Sequence, residues 1–343
     1  MGLAGRMLVA VLALTSGAPT SLAGNQASAT GPLDELPQSL LDTGLYVAGS
    51  ASQVHPDNLP FTPQYPLWSD GAAKRRWLNL PPATWIDASR PDAWEFPAGT
   101  RLWKEFSHAG KRIETRLIQR RTDKSWLYVS YVWNGDGTDA ALAPAGGVVL
   151  DDTPASTGRY DVPSRMDCLA CHEGAAVPVL GASAVQLSTM DRQALAARGL
   201  LRNLPQSWQR QSPVIAAASE TERAALGYLH GNCGHCHNHD GAPAPVQLVL
   251  AQSAAAPDTS RHRVLLSAIN ARSRYRPPGM PGDPVVIAPG RPEASVIEWR
   301  MRSRHPLVQM PPLGTLAPDP EGIALIRRWI ANDLSNTNKE PLK

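Results

Sequence analysis

Long hydrophobic runs, excess charge and cysteine are all scarce in this sequence of 343 residues. Beyond its first residues the chain has no run of 18 uninterrupted apolar residues, so we expect no membrane-spanning helix in the mature protein. The formal net charge is only +3, which is too small and too evenly spread to favour nucleic acid as a partner. Only four cysteines are present, and at this length a hydrophobic core forms unaided.

The N-terminus has the pattern of a signal peptide. Arg6 supplies positive charge, and Met7 to Leu14 form an apolar segment that is too short to span a bilayer. Ser21 and Ala23 then fit a small-residue cleavage site, and no cysteine follows that could carry a lipid anchor. The sequence therefore predicts an exported, soluble protein of the periplasm, cleaved after Ala23.

The cysteines show a pattern of their own. They form two C-x-x-C pairs, each followed at once by histidine: Cys168, Cys171 and His172 in the first, and Cys233, Cys236 and His237 in the second. With nine histidines in the chain, chance would give both matches only about once in a thousand trials. C-x-x-C-H is the attachment signature of c-type haem, in which both thiols bond the porphyrin and the imidazole binds the iron. We therefore predict two c-type haems.

Three other interpretations of the cysteines fit less well. A disulfide oxidoreductase carries its C-x-x-C after a strand, whereas a helical pattern precedes Cys233. A four-cysteine zinc site usually joins its pairs over roughly 12–20 residues, whereas 61 residues separate Cys171 from Cys233, and zinc gives no reason for either histidine. Structural disulfides occur in exported proteins, but a bridge across two residues is strained.

Two predicted helices bracket the second C-x-x-C-H motif. The capping-box pattern S-x-x-E at Ser219–Glu222 predicts a helix that runs to Asn232. Downstream, Asp319–Pro320 offers an N-cap and a proline at the first helical position, and apolar residues then recur at helical spacing. Two helices that bracket C-x-x-C-H and can pack across each other resemble class I cytochrome c.

In that family the second axial ligand of the iron is a methionine in a loop before the last helix. The sequence QMPPLGT at 309–315 is similar to this loop, so the resemblance implies Met310 as the ligand. A thioether favours reduced iron and raises the redox potential. Met280 is the alternative ligand, and we expect His235 and His239 to face solvent.

The resemblance to class I cytochrome c covers about 219–332 and has one departure. A spacing of 72 residues separates His237 from Met310, more than in the compact members. We therefore expect 238–289 to be an inserted loop over one haem edge.

Seven of the ten tryptophans lie in the first half of the chain, among many β-forming residues. Alternating polar and apolar residues predict strands at 100–106, 111–120 and 125–133, with turns between them. The first C-x-x-C-H motif follows these strands. Over about 91–174 this order is similar to the cytochrome P460 and cytochrome c′-β group.

The P460 resemblance has its own implications. Members of that group have a β-sandwich and leave the distal iron site open, and the P460 enzymes also bond a lysine to the haem. Lys104 lies in the corresponding strand, although its plain interpretation is an exposed or snorkelling strand residue. The chain departs from the group by an insertion rich in glycine, proline and aspartate at 134–167.

The sequence leaves the distal ligand of the first haem undecided. The alternatives are an open iron site or one of four side chains: His55, His108, Met190 and His230. Asp70, between serine and glycine, is expected to be a turn residue rather than an acid catalyst, and Glu173 a surface residue.

Four segments in a fixed order characterise the whole chain: YPLWSDGAAKRRW, PSRMDCLACHEG, LGYLHGNCGHCHN and QMPPLGT. This layout resembles an uncharacterised bacterial family of dihaem c-type cytochromes, which brings no known substrate. The predicted fold class is α+β, with an N-terminal β-rich haem domain followed by an all-α class I cytochrome c domain. The predicted division is a signal peptide at 1–23, an extension at 24–60, the β-rich domain with the first haem at 61–180, a connector at 181–215 with one helix capped by Asp191, and the cytochrome c domain with the second haem at 216–343.

Three functions follow from two haems. The first is an electron carrier between periplasmic redox proteins. We expect the basic runs 74–76 and 120–121 to be solvated faces, and the alternative is that one of them steers an acidic redox partner. The second is an enzyme that acts on peroxide, nitric oxide or hydroxylamine at an open first haem, with the second haem as electron relay. The third is a subunit that serves a partner dehydrogenase or oxidase.

Overall fold

A computed structural model describes Met1 and residues 36–239, 246–280 and 282–335 of the chain. Apart from Met1, the predicted signal peptide lies outside the described residues. The architecture is mixed, with a β-rich N-terminal region followed by helices, which agrees with the predicted order of β before α.

A six-stranded antiparallel sheet forms the N-terminal region, in the order β1-β2-β4-β5-β6-β7. Its strands are β1 (Leu59–Pro60), β2 (Ala73–Asn79), β4 (Arg101–His108), β5 (Lys111–Arg120), β6 (Trp126–Trp133) and β7 (Ala140–Leu142). The three strands predicted from alternation are β4, β5 and β6, and all three are confirmed. Ala109 and Gly110 between β4 and β5 both have positive φ, as a tight two-residue hairpin requires.

The two faces of this sheet have different neighbours. One face carries Trp77, Trp103 and Leu117 and packs against a short 3-10 turn at Leu40–Thr43 and its surroundings. Because side chains alternate along a strand, the opposite face carries the residues between these positions. That second face lines the site described below.

Four short strands lie outside the main sheet. The strands β3 (Ile86–Asp87) and β10 (Leu201–Arg202) pair in parallel, and β8 (Val148–Leu150) and β9 (Tyr160–Val162) pair as antiparallel neighbours. The predicted insertion at 134–167 therefore contains three short strands, β7, β8 and β9.

Seven α-helices complete the described part of the chain. They are α1 (Arg165–His172), α2 (Thr189–Ala197), α3 (Gln206–Arg210), α4 (Glu220–Asn232), α5 (Pro257–Ala268), α6 (Val296–Arg302) and α7 (Pro320–Arg328), which continues as a π-helical turn at Trp329–Asp333. The helices predicted around the second motif are α4 and α7. The expected loop at 238–289 contains a whole helix, α5.

Side-chain hydrogen bonds cap the N-termini of α2, α4 and α7. Asp319 caps α7 by accepting from the amide of Gly322 at 2.9 Å, and Ser219 caps α4 in the same way. In α2 the cap is Ser188 and not Asp191, because the Ser188 hydroxyl accepts from the Asp191 amide at 3.1 Å. The connector helix thus begins earlier than predicted.

One hydrophobic cluster joins the β-rich region to the helices. It begins at Phe61, includes Leu102 of β4 and Leu226 of α4, and ends at Leu334. Cys233 of the second C-x-x-C-H motif packs against this cluster. Within the described ranges, no helix has the length and apolar character needed to cross a membrane.

Candidate cofactor site

The first C-x-x-C-H motif occupies the last turn of α1. Ser164 is the N-cap of this helix and forms two hydrogen bonds with Asp167. The Asp167 amide donates to the Ser164 hydroxyl at 3.1 Å, and the Ser164 amide donates to the Asp167 carboxylate at 2.9 Å. The capping box fixes the start of a helix of only two turns. Cys168 and Cys171, three residues apart, therefore lie on the same helix face.

The second motif lies where α4 ends. The amide of Cys233 still donates to the Leu229 carbonyl at 2.9 Å, and the amides of Cys236 and His237 both donate to the Cys233 carbonyl, at 3.1 and 2.8 Å. The chain thus turns tightly around Cys233. Cys233, Cys236 and His237 all line the cavity described below.

The two motifs touch each other. The Asn238 side chain donates to the Gly174 carbonyl at 2.8 Å, and the Cys236 thiol lies 3.6 Å from the Ala170 carbonyl. Cys171, His235 and Cys236 each place one atom that can bind a metal within 4.8 Å of the other two. His235, which the sequence predicts to face solvent, is half-buried, whereas His239 is exposed as predicted.

Both motifs open into a single cavity of about 1620 Å³. Small-molecule sites typically enclose about 300–1,000 Å³, so this cavity has room for more than one ordinary ligand. Its walls come from the second face of the sheet, from α1 and α4, and from the loop at 309–315. All four cysteines and both motif histidines line it.

The imidazole of His172 is oriented for metal binding. Its Nδ1 lies 2.5 Å from the Pro178 carbonyl oxygen, which can only accept, so Nδ1 carries the proton. The Nε2 atom then keeps its lone pair, which is the arrangement found in ligating histidines. Burial is the main cause that lowers the His172 pKa to about 3, so the ring is neutral. The Tyr128 ring packs against it with centroids 4.8 Å apart.

His237 is held less firmly. Burial, followed by the charge of Arg300, lowers its pKa, while a hydrogen bond to the backbone of Leu248 acts in the opposite direction. By strict geometry, however, the buried Nδ1 atom has no hydrogen-bond partner among the described residues. His237 therefore lines the cavity with a neutral ring. Unlike the His172 tautomer, its tautomer is not fixed by a hydrogen bond at Nδ1 from any described residue.

Three of the four cysteine thiols lack the electrostatics of redox-exchange thiols, and only the Cys236 pKa is lowered, by the hydrogen bond to Cys171. Burial raises the Cys168 pKa to about 11 and the Cys233 pKa to about 12. The hydrogen bond to Cys236, and then burial, raises the Cys171 pKa to about 12. Exchange enzymes instead lower a thiol pKa to make the attacking thiolate.

Met310 is half-buried and lines the cavity, as its predicted ligand role requires. Its amide donates to the Arg300 carbonyl at 2.9 Å. We call the segment 309–317 the Met310 loop. Asp70 holds the C-terminal end of this loop, since its carboxylate accepts from the amides of Leu316 and Ala317 at 2.9–3.0 Å. Asp70 has positive φ and belongs to a turn, as expected. Met280 is buried and does not line the cavity.

Of the four distal candidates for the first haem, the cavity contains one. His55, His108 and Met190 do not line it, and Met190 is 80% exposed. His230 does line it, but its Nδ1 accepts from the Gln252 amide at 3.0 Å. The neutral ring then carries its proton on Nε2, so neither nitrogen of His230 offers a free lone pair.

Several lining residues were not foreseen. Met301 of α6 is buried at the cavity wall, Arg300 lies beside it in the same helix, and Arg304 follows the end of the helix. Lys104 points into the cavity rather than toward solvent. The alternation of β4 already places Lys104 beside Leu102 and Phe106 on one face, but only the folded chain shows which face is enclosed. Glu173 is exposed, as expected.

Searches against known protein families, curated proteins and solved structures found no match to this chain.

Proposed function

We propose that the protein is an exported dihaem c-type cytochrome that carries single electrons between redox proteins of the periplasm. One observation carries the proposal. Two C-x-x-C-H segments, 61 residues apart in sequence, open into one cavity that is larger than a typical single-ligand site.

The residues that would hold the two haems follow from the motifs. Thioether bonds would come from Cys168 and Cys171 in the first site and from Cys233 and Cys236 in the second. His172 and His237 would bind the two irons, and Pro178 fixes the His172 tautomer. A bound c-type haem supplies an iron that changes its oxidation state by one electron. The contact between the motifs favours two haems that lie close together.

The C-terminal unit supports the class I cytochrome c assignment. The Tyr228 ring of α4 lies against Gly322 of α7 so closely that a Cβ at position 322 would overlap the ring. The helices that bracket the second motif therefore pack across each other, as the resemblance implies. Met310 faces the cavity from a loop just before α7, where a sixth ligand for the second iron is expected.

An enzyme remains the second candidate because of one observation at the first motif. The one distal histidine candidate at the cavity, His230, has its Nδ1 lone pair engaged by Gln252. An iron on His172 would then keep an open position for peroxide, nitric oxide or hydroxylamine. A high-spin ferric electron paramagnetic resonance signal from half of the haem, shifted by cyanide, would favour this enzyme over the carrier.

The partners belong to the proposal as well. Periplasmic redox proteins would donate and accept the electrons, and a partner dehydrogenase or oxidase is the more specialised form of the same idea. The basic run at 74–76 is not a free docking patch, because Arg76 is buried and the Lys74 ammonium donates to the Leu67 carbonyl at 2.6 Å.

Mass spectrometry of the chain, exported from a host with a cytochrome maturation system, tests the proposal. We expect the mass of two haems and iron as the bound metal. The double variant Cys233→Ala, Cys236→Ala should lose one haem and keep the other.

A colourless product that contains zinc would overturn the proposal. It would favour instead a metal ion on the cluster of Cys171, His235 and Cys236. Loss of both haems from the double variant would contradict two independent attachment sites.

A further inference from the structure

The cavity-facing side of the sheet carries three cations in one row. Arg76 of β2 lies directly opposite Lys104 of β4, and Lys104 lies directly opposite Arg116 of β5. All three line the cavity. We call these three residues the cation row. Since adjacent strands are about 4.8 Å apart, the row spans about 10 Å.

Such a row is costly unless something compensates it. Like charges directly opposite each other destabilise a sheet, and a buried charge without a partner costs more. Arg76 is only 8% exposed, and burial lowers its pKa to about 10. Burial, and then the neighbouring cations Arg76 and Arg116, lowers the Lys104 pKa well below its usual value.

The chain itself compensates one of the three charges. The Glu114 carboxylate accepts from two nitrogens of Arg116, at 2.8 and 2.9 Å, and from the Tyr160 hydroxyl at 2.6 Å. Arg76 and Lys104 have no hydrogen bond or ion pair to a carboxylate in the described ranges. The Lys104 ammonium lies 4.7 Å from the Phe106 ring centre, which offsets only part of its charge.

The other carboxylates of the cavity are engaged elsewhere. Asp70 accepts from the backbone amides of the Met310 loop, and Asp167 belongs to the capping box of α1. Asp161 pairs with Arg159 at 2.7 Å, and Asp92 accepts from the Ser253 hydroxyl at 2.5 Å. Asp319 caps α7. Among the described residues, Arg76 and Lys104 of the cation row thus have no carboxylate at hydrogen-bond or ion-pair distance, and Glu114 acts on Lys104 only through space.

Guanidinium and ammonium groups recognise carboxylates and small oxyanions through charge-assisted hydrogen bonds. We propose that the cation row is an anion-binding site for a carboxylate or a small oxyanion, centred on Lys104. The anion has two sources, a propionate of the haem bonded at Cys168 and Cys171 or a free anion that enters the cavity. The first source rests on the proposed function, and the second does not.

The test uses the full chain from the maturation host, with formate as the probe and Lys104→Met as the variant. Met keeps the length of the side chain and removes its charge. Lys111→Met, at the exposed end of β5, is the matched control, and Lys104→Arg restores the charge. Isothermal titration calorimetry measures formate binding, and redox titration measures the potential of each haem.

The two sources predict different results. For a free anion, the wild-type protein binds formate, and Lys104→Met binds it about tenfold or more weakly, while Lys111→Met is unchanged. For a propionate, the wild-type protein does not bind formate, but Lys104→Met lowers the potential of one haem, because a cation that opposes the ferric charge is gone. Lys104→Arg reverses either effect.

The proposal is overturned if Lys104→Met matches Lys111→Met in both formate binding and haem potentials. A chain without haem by mass would refute the proposed function alone, since formate binding weakened by Lys104→Met needs no haem. Circular dichroism melts verify folding, and Arg76→Met repeats both measurements if Lys104→Met does not fold.

Discussion

Replacing Asp70 by asparagine should loosen the Met310 loop without changing its shape. The carboxylate accepts from the Leu316 amide with both oxygens, at 3.0 and 2.9 Å, and from the Ala317 amide at 2.9 Å. Asparagine has the same size and tolerates the positive φ of this position. Asp70→Asn therefore tests how much the negative charge of the Asp70 carboxylate contributes to these hydrogen bonds.

The expected cost follows from two amides that lose a charged partner. A hydrogen bond to a charged group contributes about 1.5–3 kcal/mol, and a neutral one about 0.5–1.5 kcal/mol. The difference is about 1–1.5 kcal/mol for each amide, so the free energy of unfolding should fall by about 2–3 kcal/mol. Urea unfolding measures this loss. The weak near-infrared band of methionine-ligated ferric haem should also disappear at a lower temperature.

Asp123→Asn is the matched control. The Asp123 carboxylate also accepts from a backbone amide, that of Ser125 at 2.8 Å, but in an exposed turn. Its replacement should change the free energy of unfolding by less than about 0.5 kcal/mol. If Asp70→Asn costs no more than Asp123→Asn, the carboxylate does not hold the loop, and the reasoning fails.

Three further predictions concern other parts of the site. Met310→Ala should abolish the near-infrared band and lower the potential of one haem, because the thioether favours reduced iron. Gly231→Ala should cost about 1–3 kcal/mol of unfolding free energy, since a Cβ there would overlap the Tyr65 carbonyl. Glu114→Gln should cost about 3–5 kcal/mol at pH 7, because it leaves Arg116 unpaired. Desolvation raises the Glu114 pKa, but the opposing Arg116 charge prevails and holds it below its usual 4.5. The stability from this pair is therefore present above pH 4.5 and is lost as the pH falls through the lowered pKa.

Each of these predictions has a control or an opposing outcome. Met280→Ala should leave the near-infrared band intact. Loss of the band in this variant would identify Met280 as the ligand. Gly135→Ala, with open space around its Cβ, should be nearly neutral in urea unfolding. A cost for Glu114→Gln that is the same at pH 3 and pH 7 would contradict the ion pair with Arg116.

Local features of the fold were predictable from the sequence. Alternation identified β4, β5 and β6, and the caps Ser219 and Asp319 located the starts of α4 and α7. The error at α2 arose because Ser188 and Asp191 are both good capping residues, and local preference alone does not choose between them.

Long-range features could not be predicted in the same way. The contact between the two motifs depends on Asn238 and Gly174, which are 64 positions apart. The cation row depends on the register of three strands, which alternation within one strand does not fix. The His172 tautomer depends on a carbonyl six residues away, in a segment without regular structure.

The contacts of the segment Tyr65–Asp70 limit how early the protein can complete its fold during synthesis. The Trp68 indole donates to the carbonyl of Ala317, 249 positions later. The Asp70 carboxylate accepts from the amide of Leu316, 246 positions later. These bonds cannot form until the polypeptide has been made at least as far as Ala317. Until then the wall around the cysteines stays incomplete. In the proposed function, haem would therefore be attached to both pairs of thiols before the chain has closed over them.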